Sequence, residues 1–489
     1  MTPSSRRTSR APRRAGTASP AARLARSSWW AWLACLLAAG PVAAWQSSPP
    51  PDLPVDPETG AGLRVWLLTA APGSAVWERF GHNAIRVLDT RTGEDISYNW
   101  GIFDFQQVDF VPRFLRGRML YMMAPFRTRP MIDGYLRAGR PVALQELDLT
   151  AGQKARLHAF LRWNALPENR DYFYDYFLDN CSTRARDALD GVLDGALSVR
   201  FAEEPTGTSY RFHTRRLTRV DPLVYTGMDL LLGTPGDQPI SVWEEMFLPM
   251  TLMEEIRSVR IPEPGGGARP LVLGEEMLRP PGRTAEAPRG STSAATGMAG
   301  PEEAGTDPWG PDSPPAWLVV YLALGLAVGG TVAWLGARAA GSRQAILAAS
   351  VGGGAPGDRL AGIAGGLLAG VWSLVVGLVG TILVLVLFTD HQFMAWNENL
   401  FLFTPLSLGL AVLAPVALGW GRATAAARRL GWVVLTLAVA GLVLQLLPSA
   451  RQQNAIFFAL ALPVHLGLAW ALERRAQGME MRRPIRPAR

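Results

Sequence analysis

Cys181 is the residue of this sequence whose setting best suits nucleophilic chemistry. It follows Asp179 and Asn180, two residue types that cap helices, and it begins a run with apolar residues at helical spacing. The sulfur is therefore predicted to lie at a helix N-terminus, where unpaired N–H groups and the helix dipole stabilise a thiolate. Arg184 and Arg186 are predicted to add positive charge beside it.

A thiol nucleophile needs a base, and His82 is the candidate. It follows Gly81 and precedes the alternating run 83–88, which predicts a short strand that ends at the turn 89–93. Taken singly, a cysteine near arginines or a histidine on a strand is more often a structural residue. Taken together, the two residues predict a cysteine nucleophile with a histidine base.

The chain has 489 residues, too many for one ordinary domain, and a net charge of +7. Its basic residues are nearly all arginines, many of them in terminal tails and short loops, which indicates membrane topology rather than nucleic-acid binding. Of the two cysteines, Cys35 lies in the first apolar segment, so Cys181 stands alone in the soluble region. No Cys or His pair there has zinc-type spacing, and we expect neither a metal nor a cofactor.

Residues 1–45 have the pattern of a signal peptide or signal anchor, because seven arginines precede the apolar run 29–44. The triplet Val42-Ala43-Ala44 resembles a signal-peptidase site, and whether it is cleaved stays open. Cys35 comes too early in the apolar run to favour a lipoprotein signal. A Pro-rich spacer, 46–62, follows.

Residues 63–261 predict a compact mixed domain. Its predicted strands lie at 63–70, 86–88, 96–100, 119–124 and 142–149, with the second and third as hairpin partners. Thr150 and Gln153 form a capping box that opens a helix to residue 165, on which His158 is expected at the surface. From 209 to 259 the pattern is helical, and the clearest helix is expected to open at 241–245.

Two groups in this domain allow two interpretations each. The aromatic run 172–178 leads into Cys181, and core packing is the more usual role for such a run than a slot for a lipid chain. His213 lies among Arg211, Arg215, Arg216 and Arg219. That cluster predicts either a site for a phosphate head group or a solvated charged face.

Residues 262–315, rich in Pro, Gly, Ala and acidic residues, predict a flexible linker that begins at the end of the soluble domain. The region 316–472 then contains five apolar segments, most of them near the length that crosses a bilayer. They lie at 316–336, 360–388, 400–420, 430–447 and 455–472, and a basic tail, 473–489, follows them.

Arginine placement predicts the orientation of these segments. The loops on one side of the predicted bundle carry Arg338, Arg343, Arg359, Arg422, Arg428 and Arg429, and the arginine-rich tail lies on the same side. The opposite loops carry only Arg451 with Asp390 and Glu398. By the positive-inside rule the tail is cytoplasmic, so the Cys181 domain lies on the opposite, extracytoplasmic side of the membrane, in agreement with the export signal.

One loop on the extracytoplasmic side is chemically unusual. It carries His391, Asn397 and Asn399 at the predicted membrane interface, where they form either a solvated turn or part of a lipid head-group site. His465 lies deep in the last segment. Ionisable groups inside a membrane are costly, so it is either functional or a neutral imidazole bonded to a neighbouring helix.

The order of the histidine strand, a strand with Tyr98-Asn99-Trp100-Gly101 and the cysteine helix resembles the circularly permuted papain-like thiol enzymes, the group that includes lecithin:retinol acyltransferase. That resemblance implies an α+β, circularly permuted papain-like exported domain, followed here by an all-α transmembrane bundle of about five helices. It makes His82 the general base and Cys181 the nucleophile. Asn99 is the first candidate to orient His82 and Asp104 the second, because spacing does not fix the third residue.

A closer resemblance covers most of the chain. The motifs FGHNAIRV, YNWGIFDF, FLRGRMLY, DNCSTRARD, SVWEEMFLP and TDHQFMAWNENL resemble the bacterial family that contains the Lnb-type lipoprotein intramolecular transacylase. The resemblance implies transfer of the sn-2 acyl chain of a lipoprotein's diacylglyceryl-cysteine to its own N-terminal amine. Asn180, Arg184, His213, His391, Asn397 and Asn399 are further candidates for orienting the base or binding substrate.

Acyl transfer suits these residues, because a thiolate attacks an ester, a thioester forms and an amine then attacks it. The expected partners are lipoproteins or phospholipids of the outer leaflet, and a lipid-ester hydrolase is a variant of the same idea. Two alternatives are a cell-wall peptidase or amidase that uses the same pair, and a non-enzymatic membrane sensor or accessory protein. Five spans favour the lipid substrate over a wall peptide.

Overall fold

The computed structural model describes residues 55–104, 106–262, 266–281, 312–341, 356–447 and 452–481. The predicted signal segment 1–45, most of the spacer and of the linker, and the tail beyond residue 481 lie outside the described residues.

A seven-stranded antiparallel sheet organises the soluble domain, in the order β11-β5-β1-β2-β3-β4-β6. Its strands are β1 Leu63–Ala70, β2 His82–Asp89, β3 Asp95–Phe103, β4 Leu120–Arg127, β5 Val142–Leu147, β6 Asp171–Phe173 and β11 Val272–Leu278. Two small ribbons pair β7 Pro205–Ser209 with β8 Pro239–Ser241 and β9 Arg260–Pro262 with β10 Ala268–Pro270. The five strands predicted from the sequence are all present, and the predicted hairpin is confirmed by the pairing of Val87 with Ile96.

The sheet is covered on both faces, which explains why β1 is a nearly continuous apolar run. Val65 and Leu67 point into the core that contains helices α3 (Ala151–Asn164) and α4 (Cys181–Val192). Trp66 and Leu68 alternate with them and face helix α2 (Thr128–Arg137) on the other side. The predicted capping box forms at the start of α3, with the Thr150 hydroxyl accepting from the Gln153 N–H.

The remaining soluble helices are short. They are α1 Phe110–Arg116, α5 Ala196–Phe201, α6 Tyr210–Thr218, α7 Pro222–Leu231, α8 Val242–Glu245 and α9 Pro249–Ser258. The helix expected to be the clearest, at 241–245, is a single turn, because Met246 ends it and Pro249 begins a new helix. Ser241 caps that turn as its sequence predicts, so the local signal was correct and the length was not.

The domain boundary expected at residue 262 is too early. Strand β11 pairs with β5 at the edge of the main sheet, for example Glu276 with Leu144. Leu271, which precedes it, is fully buried, and its N–H donates to the Val259 carbonyl at 2.9 Å. The Gly-rich composition of this stretch did not predict a strand. An edge strand can form there because it needs only one pairing partner.

The described residues of the C-terminal region contain five helices: α10 Leu318–Ala340, α11 Pro356–Val386, α12 Ser407–Trp420, α13 Thr424–Leu444 and α14 Ala455–Met481. All but α12 are long and apolar enough to cross a membrane. The predicted span 400–420 begins its helix only at Ser407, because residues 397–401 form a separate short turn. At 1.5 Å per residue, α12 reaches roughly 21 Å, less than the thickness of the hydrocarbon core.

Glycines allow α10 and α14 to approach closely. A Cβ on Gly329 would lie 2.3 Å from the carbonyl oxygen of Pro463, and one on Gly467 would lie 2.2 Å from the Gly329 carbonyl oxygen. In lipid the hydrophobic effect does not drive helices together, so apolar helices associate through close van der Waals packing of this kind.

If residues 266–278 belong to the soluble domain, Leu271→Ala will destabilise it. Loss of a fully buried leucine side chain costs about 2–5 kcal/mol, whereas an exposed position changes stability by roughly 0.5 kcal/mol or less. Leu273→Ala, at a residue that is 57% exposed, is the matched control. The thermal unfolding midpoint of the detergent-solubilised chain measures the difference, and equal midpoints for the two variants would contradict the assignment.

Candidate active site

Strands β2 and β3 bring His82 and Asn99 together at one end of the sheet. Nε2 of His82 lies 3.0 Å from Oδ1 of Asn99, and Nδ2 of Asn99 donates to the Ser97 carbonyl at 2.9 Å. The Ser97 carbonyl can only accept, so it fixes the orientation of the amide and leaves Oδ1 as the acceptor for the imidazole. Nε2 of His82 therefore carries the proton, and Nδ1 is left to face another partner.

That partner is Cys181, the first residue of α4, which packs against β2 and β3. The Asn180 side chain caps the helix, since its Oδ1 accepts from the N–H groups of Ser182 at 2.8 Å and Thr183 at 3.0 Å. Its Nδ2 donates to the Phe247 carbonyl at 2.9 Å, which ties the start of α4 to the segment before α9. The predicted helix N-terminus is confirmed.

Burial and the interaction between Cys181 and His82 shift the pKa of each group in opposite directions. Burial favours a raised pKa for the Cys181 thiol, but the charge of His82, a hydrogen bond with it, and the backbone N–H groups of Asn83 and Ser182 together lower that pKa below its ordinary value. Burial likewise opposes protonation of His82, yet interaction with Cys181 and Asn99 raises the pKa of His82. Both shifts favour a thiolate–imidazolium pair.

The arginines expected to activate the thiol are engaged elsewhere. Arg184 forms an ion pair with Asp179, with one N–O contact at 2.7 Å, and lies over the Tyr172 ring. Arg186 lies over the Trp243 ring and donates to its carbonyl at 2.6 Å. Stabilisation of the thiolate thus comes from His82 and backbone N–H groups rather than from these side chains.

The surroundings of the thiol include residues that sequence reasoning did not single out. Gly101 adopts φ +83° at an irregularity in β3, and a Cβ there would lie 3.6 Å from Cβ of Cys181 and 3.7 Å from the Tyr174 ring. The Tyr135 ring lies 6.2 Å from the His82 ring. The Tyr98-Asn99-Trp100-Gly101 motif contained a signal for Gly101, because a glycine inside a strand often marks close backbone approach.

The aromatic run 172–178 belongs in part to the core, and its other rings lie near the thiol. Tyr172 and Phe177 are buried in two of the apolar clusters of the soluble domain. Tyr174 and Tyr176 are half-buried and lie near Cys181, where burial first and the cysteine's charge second raise the pKa of each phenol.

Asp104 does not lie in the pair's environment. It is exposed, and its carboxylate accepts from the Gln106 N–H at 2.8 Å in the turn after β3. Asn99, not Asp104, is therefore the residue in contact with His82.

Within the cluster around His213, Arg219 is exposed, but His213 and Arg211 are buried and belong to neither a head-group site nor a solvated face. His213 is buried, with Nε2 at 2.7 Å from a Glu245 oxygen and Nδ1 accepting from Arg216 at 2.9 Å. Arg211 is fully buried between Asp229 and Asp237, at 2.7 Å and 2.8 Å. A buried cation surrounded by carboxylates and carbonyls is a structural crosslink, and it holds α6 to α7 and the turn that follows.

The unusual loop of the membrane region docks onto the soluble domain. Nδ2 of Asn397 donates to the carbonyls of Leu230 at 2.8 Å and Leu231 at 3.0 Å, and Nδ2 of Asn399 donates to Leu230 at 3.0 Å. These are terminal carbonyls of α7, which have no partner within their own helix. His391 donates from Nε2 to the Phe114 carbonyl at 3.1 Å. The three residues therefore connect the two regions, and none of them contacts Cys181.

The same loop also contacts the segment that precedes the cysteine. Nε2 of Gln392 donates to Asp175 at 2.9 Å, and Asp175 pairs with Asp179 through two backbone hydrogen bonds. The Phe393 ring packs on Phe177 at 4.6 Å between centroids. The membrane region thus supports the approach to α4 directly.

Two other histidines have structural partners. His465 donates from Nε2 to the Leu402 carbonyl at 3.0 Å, so it joins α14 to the segment before α12. His158 is half-buried beside the Tyr98 ring rather than at the surface. Across the described residues, no group of three or more His, Cys, Asp or Glu side chains could hold a metal ion.

Comparison with protein families gives two matches. Residues 59–217 match the family model of the Lnb N-terminal periplasmic domain, and residues 365–476 match that of the Lnb transmembrane domain. No curated protein and no solved structure matches the chain. The first match includes both members of the Cys181–His82 pair, and the second includes the docking loop.

The pH dependence of Cys181 alkylation by iodoacetamide tests the pair. Thiolate appears as pH rises through the lowered pKa of Cys181, so the rate will reach half its maximum at a lower pH than an ordinary thiol. His82→Ala will move that midpoint upward, because burial remains and the compensating charge is lost. His158→Ala is the control and will leave it unchanged. An unmoved midpoint in His82→Ala would contradict the pairing.

Substitution at Gly233 tests the contact between the loop 389–399 of the membrane region and the soluble domain. Its N–H donates to the Phe393 carbonyl at 2.7 Å, and an added Cβ would lie 1.9 Å from the Ala395 carbonyl oxygen. Gly233→Ala will therefore displace the loop and speed hydrogen–deuterium exchange over residues 389–399. Gly227→Ala is matched to it, since a Cβ there meets nothing within 4 Å. Equal exchange in the two variants would count against the interface.

Proposed function

Because the chain belongs to the Lnb family and carries both its periplasmic and its transmembrane domain, we propose that it is a cysteine-dependent acyltransferase acting on lipid esters at the outer leaflet. It is a multi-pass protein of the inner membrane with its N-terminal domain in the periplasm. The observation that carries the proposal is the pairing of Cys181 with His82 and of His82 with Asn99, in a domain docked on membrane helices.

In the first half of the reaction, the Cys181 thiolate attacks the carbonyl carbon of a lipid ester and forms a C–S bond. The oxyanion needs donors, and the N–H of Cys181 is the candidate, because the described residues provide no acceptor for it. Collapse of the tetrahedral intermediate breaks the ester C–O bond, and the departing alkoxide takes the proton of the His82 imidazolium. The products are a thioester on Cys181 and a lyso-form of the donor.

In the second half, an amine nitrogen attacks the thioester carbon. Neutral His82 takes the amine proton, the C–S bond breaks, and the thiolate–imidazolium pair is restored. Asn99 acts as a positioning residue throughout, because its Oδ1 holds the Nε2 proton and keeps the other ring nitrogen directed at the sulfur. The donor that best fits the family is the diacylglyceryl-cysteine of a lipoprotein, whose own N-terminal amine is the acceptor.

The chain order supports a permuted papain-like arrangement, in which the histidine strand β2 precedes the cysteine helix α4. The docking of the soluble domain on the membrane helices supports a lipid substrate. The loop that follows α11 holds the segment before Cys181, so the nucleophile is kept at a fixed relation to helices that lie in the bilayer. A wall peptidase has no need for such an attachment.

The masses of lipoprotein N-terminal peptides, from a host depleted of its own N-acyltransferase, test the proposal. The intact chain will give N-acylated peptides with a single O-acyl chain, and Cys181→Ala and His82→Ala will not. Cys35→Ala is the control for cysteine removal and will behave as the intact chain.

The same experiment separates the alternatives. Peptides that lose an O-acyl chain without gaining an N-acyl chain would indicate a hydrolase rather than a transferase. Unchanged lipoproteins in the presence of membrane-inserted protein would overturn the lipoprotein substrate.

A further inference from the structure

A second surface of the soluble domain has the composition of a membrane-binding element. Helix α1 and the residue two positions before it expose four large apolar side chains: Val108 at 78%, Val111 at 58%, Phe114 at 57% and Leu115 at 62%. Spacings of three and four residues place Val111, Phe114 and Leu115 on one face of the helix, and Val108 lies just before its first turn. A cluster of exposed apolar residues on one helix face is unusual for a surface that meets only water.

This segment is held at the end of a membrane helix. Helix α11 ends at Val386, and four residues later the Asp390 N–H donates to the Arg116 carbonyl at 2.9 Å. His391 donates to the Phe114 carbonyl at 3.1 Å. Two contacts thus hold the last turn of α1 close to the end of a helix that is long and apolar enough to cross a membrane.

The other flank of α1 is cationic. Arg113, Arg116 and Arg118 line a recess of about 240 Å³, together with Asp109, Pro112 and Phe173. Arg118 forms an ion pair with Asp390. Over the described part of the chain no carboxylate forms an ion pair with Arg113 or Arg116. A guanidinium presents a planar pair of donors that suits phosphate oxygens.

Apolar residues on one face and arginines on the other are the pattern of a helix that lies in the plane of the interface, with its apolar face about 5–10 Å into the head-group boundary. We propose that residues 108–118 form an interfacial element, in which the apolar face enters the outer leaflet and Arg113 and Arg116 bind lipid phosphates. The element is distinct from the chemistry at Cys181 and holds whether or not the acyl transfer proposed above occurs.

The element is also connected to the candidate active site. Phe173 of β6 forms one wall of the recess, and the next residue, Tyr174, lies against Gly101 beside Cys181. The Tyr174 N–H donates to the Met119 carbonyl at 3.1 Å, one residue after Arg118. Insertion of α1 would therefore bring Tyr174, and the thiol beside it, close to the leaflet surface.

Spin labels on the full chain in nanodiscs test the apolar face. In a Cys35→Ala/Cys181→Ala background, Val111→Cys is labelled and compared with Val199→Cys, which is 86% exposed on α5. In phosphatidylcholine nanodiscs containing phosphatidylglycerol, we expect the label at 111 to be several-fold more accessible to oxygen and less accessible to a water-soluble nickel complex. Equal nickel accessibility at both positions, or shielding at 111 from both reagents by a second protein copy, would overturn insertion.

Arginine variants test the phosphate contacts in the same nanodiscs. Phosphatidylglycerol will increase the shielding of the label at 111 over that in pure phosphatidylcholine, and Arg113→Gln/Arg116→Gln will abolish the increase. Arg113→Lys/Arg116→Lys keeps the positive charges and will retain most of the increase in shielding. An increase that survives the glutamine pair would overturn the role of the arginines. If millimolar inorganic phosphate reproduces it in pure phosphatidylcholine, the recess binds a free anion instead of a lipid.

Discussion

The Cys181 thiol is buried and the His82 imidazole is half-buried, so desolvation disfavours a charge on either, and their interaction makes the charged pair favourable. Because each group is the main compensation for the other, the distance between β2 and the start of α4 has to be maintained closely. Several contacts in the domain maintain that distance. Asn99 fixes the imidazole, Asn180 fixes the first turn of α4, and the Phe247 carbonyl ties that turn to the rest of the domain.

The membrane region contributes to the same constraint from the other side. Its loop between α11 and α12 uses amide side chains to satisfy the terminal carbonyls of α7, and it places Gln392 on Asp175. Residue types that suggested a lipid head-group site are thus used to join two parts of one protein. A domain that only bound a ligand in the periplasm would gain little from an interface that reaches the residues next to the thiol.

Charged clusters in this chain show why residue type alone is a poor guide to a binding site. Arg211 and His213 occur in a run that looks solvated, yet both are buried and paired with carboxylates. Arg113 and Arg116 attract less attention in the sequence, yet they line an open recess at the membrane side of the domain. The difference lies in whether acidic partners reach them, and for Arg211 those partners come from the next elements along the chain, 18 and 26 residues away.

The sequence by itself determined what local chemistry controls. Helix capping predicted Cys181 at a helix N-terminus, alternation predicted the strands, and apolar length predicted four spans correctly. Only the tertiary structure decided which distant groups meet. It selected Asn99 over Asp104, placed Arg211 between Asp229 and Asp237, and added Val272–Leu278 to the sheet. Capping and periodicity depend on neighbours within a few residues, whereas these choices depend on pairings across the fold that no local pattern encodes.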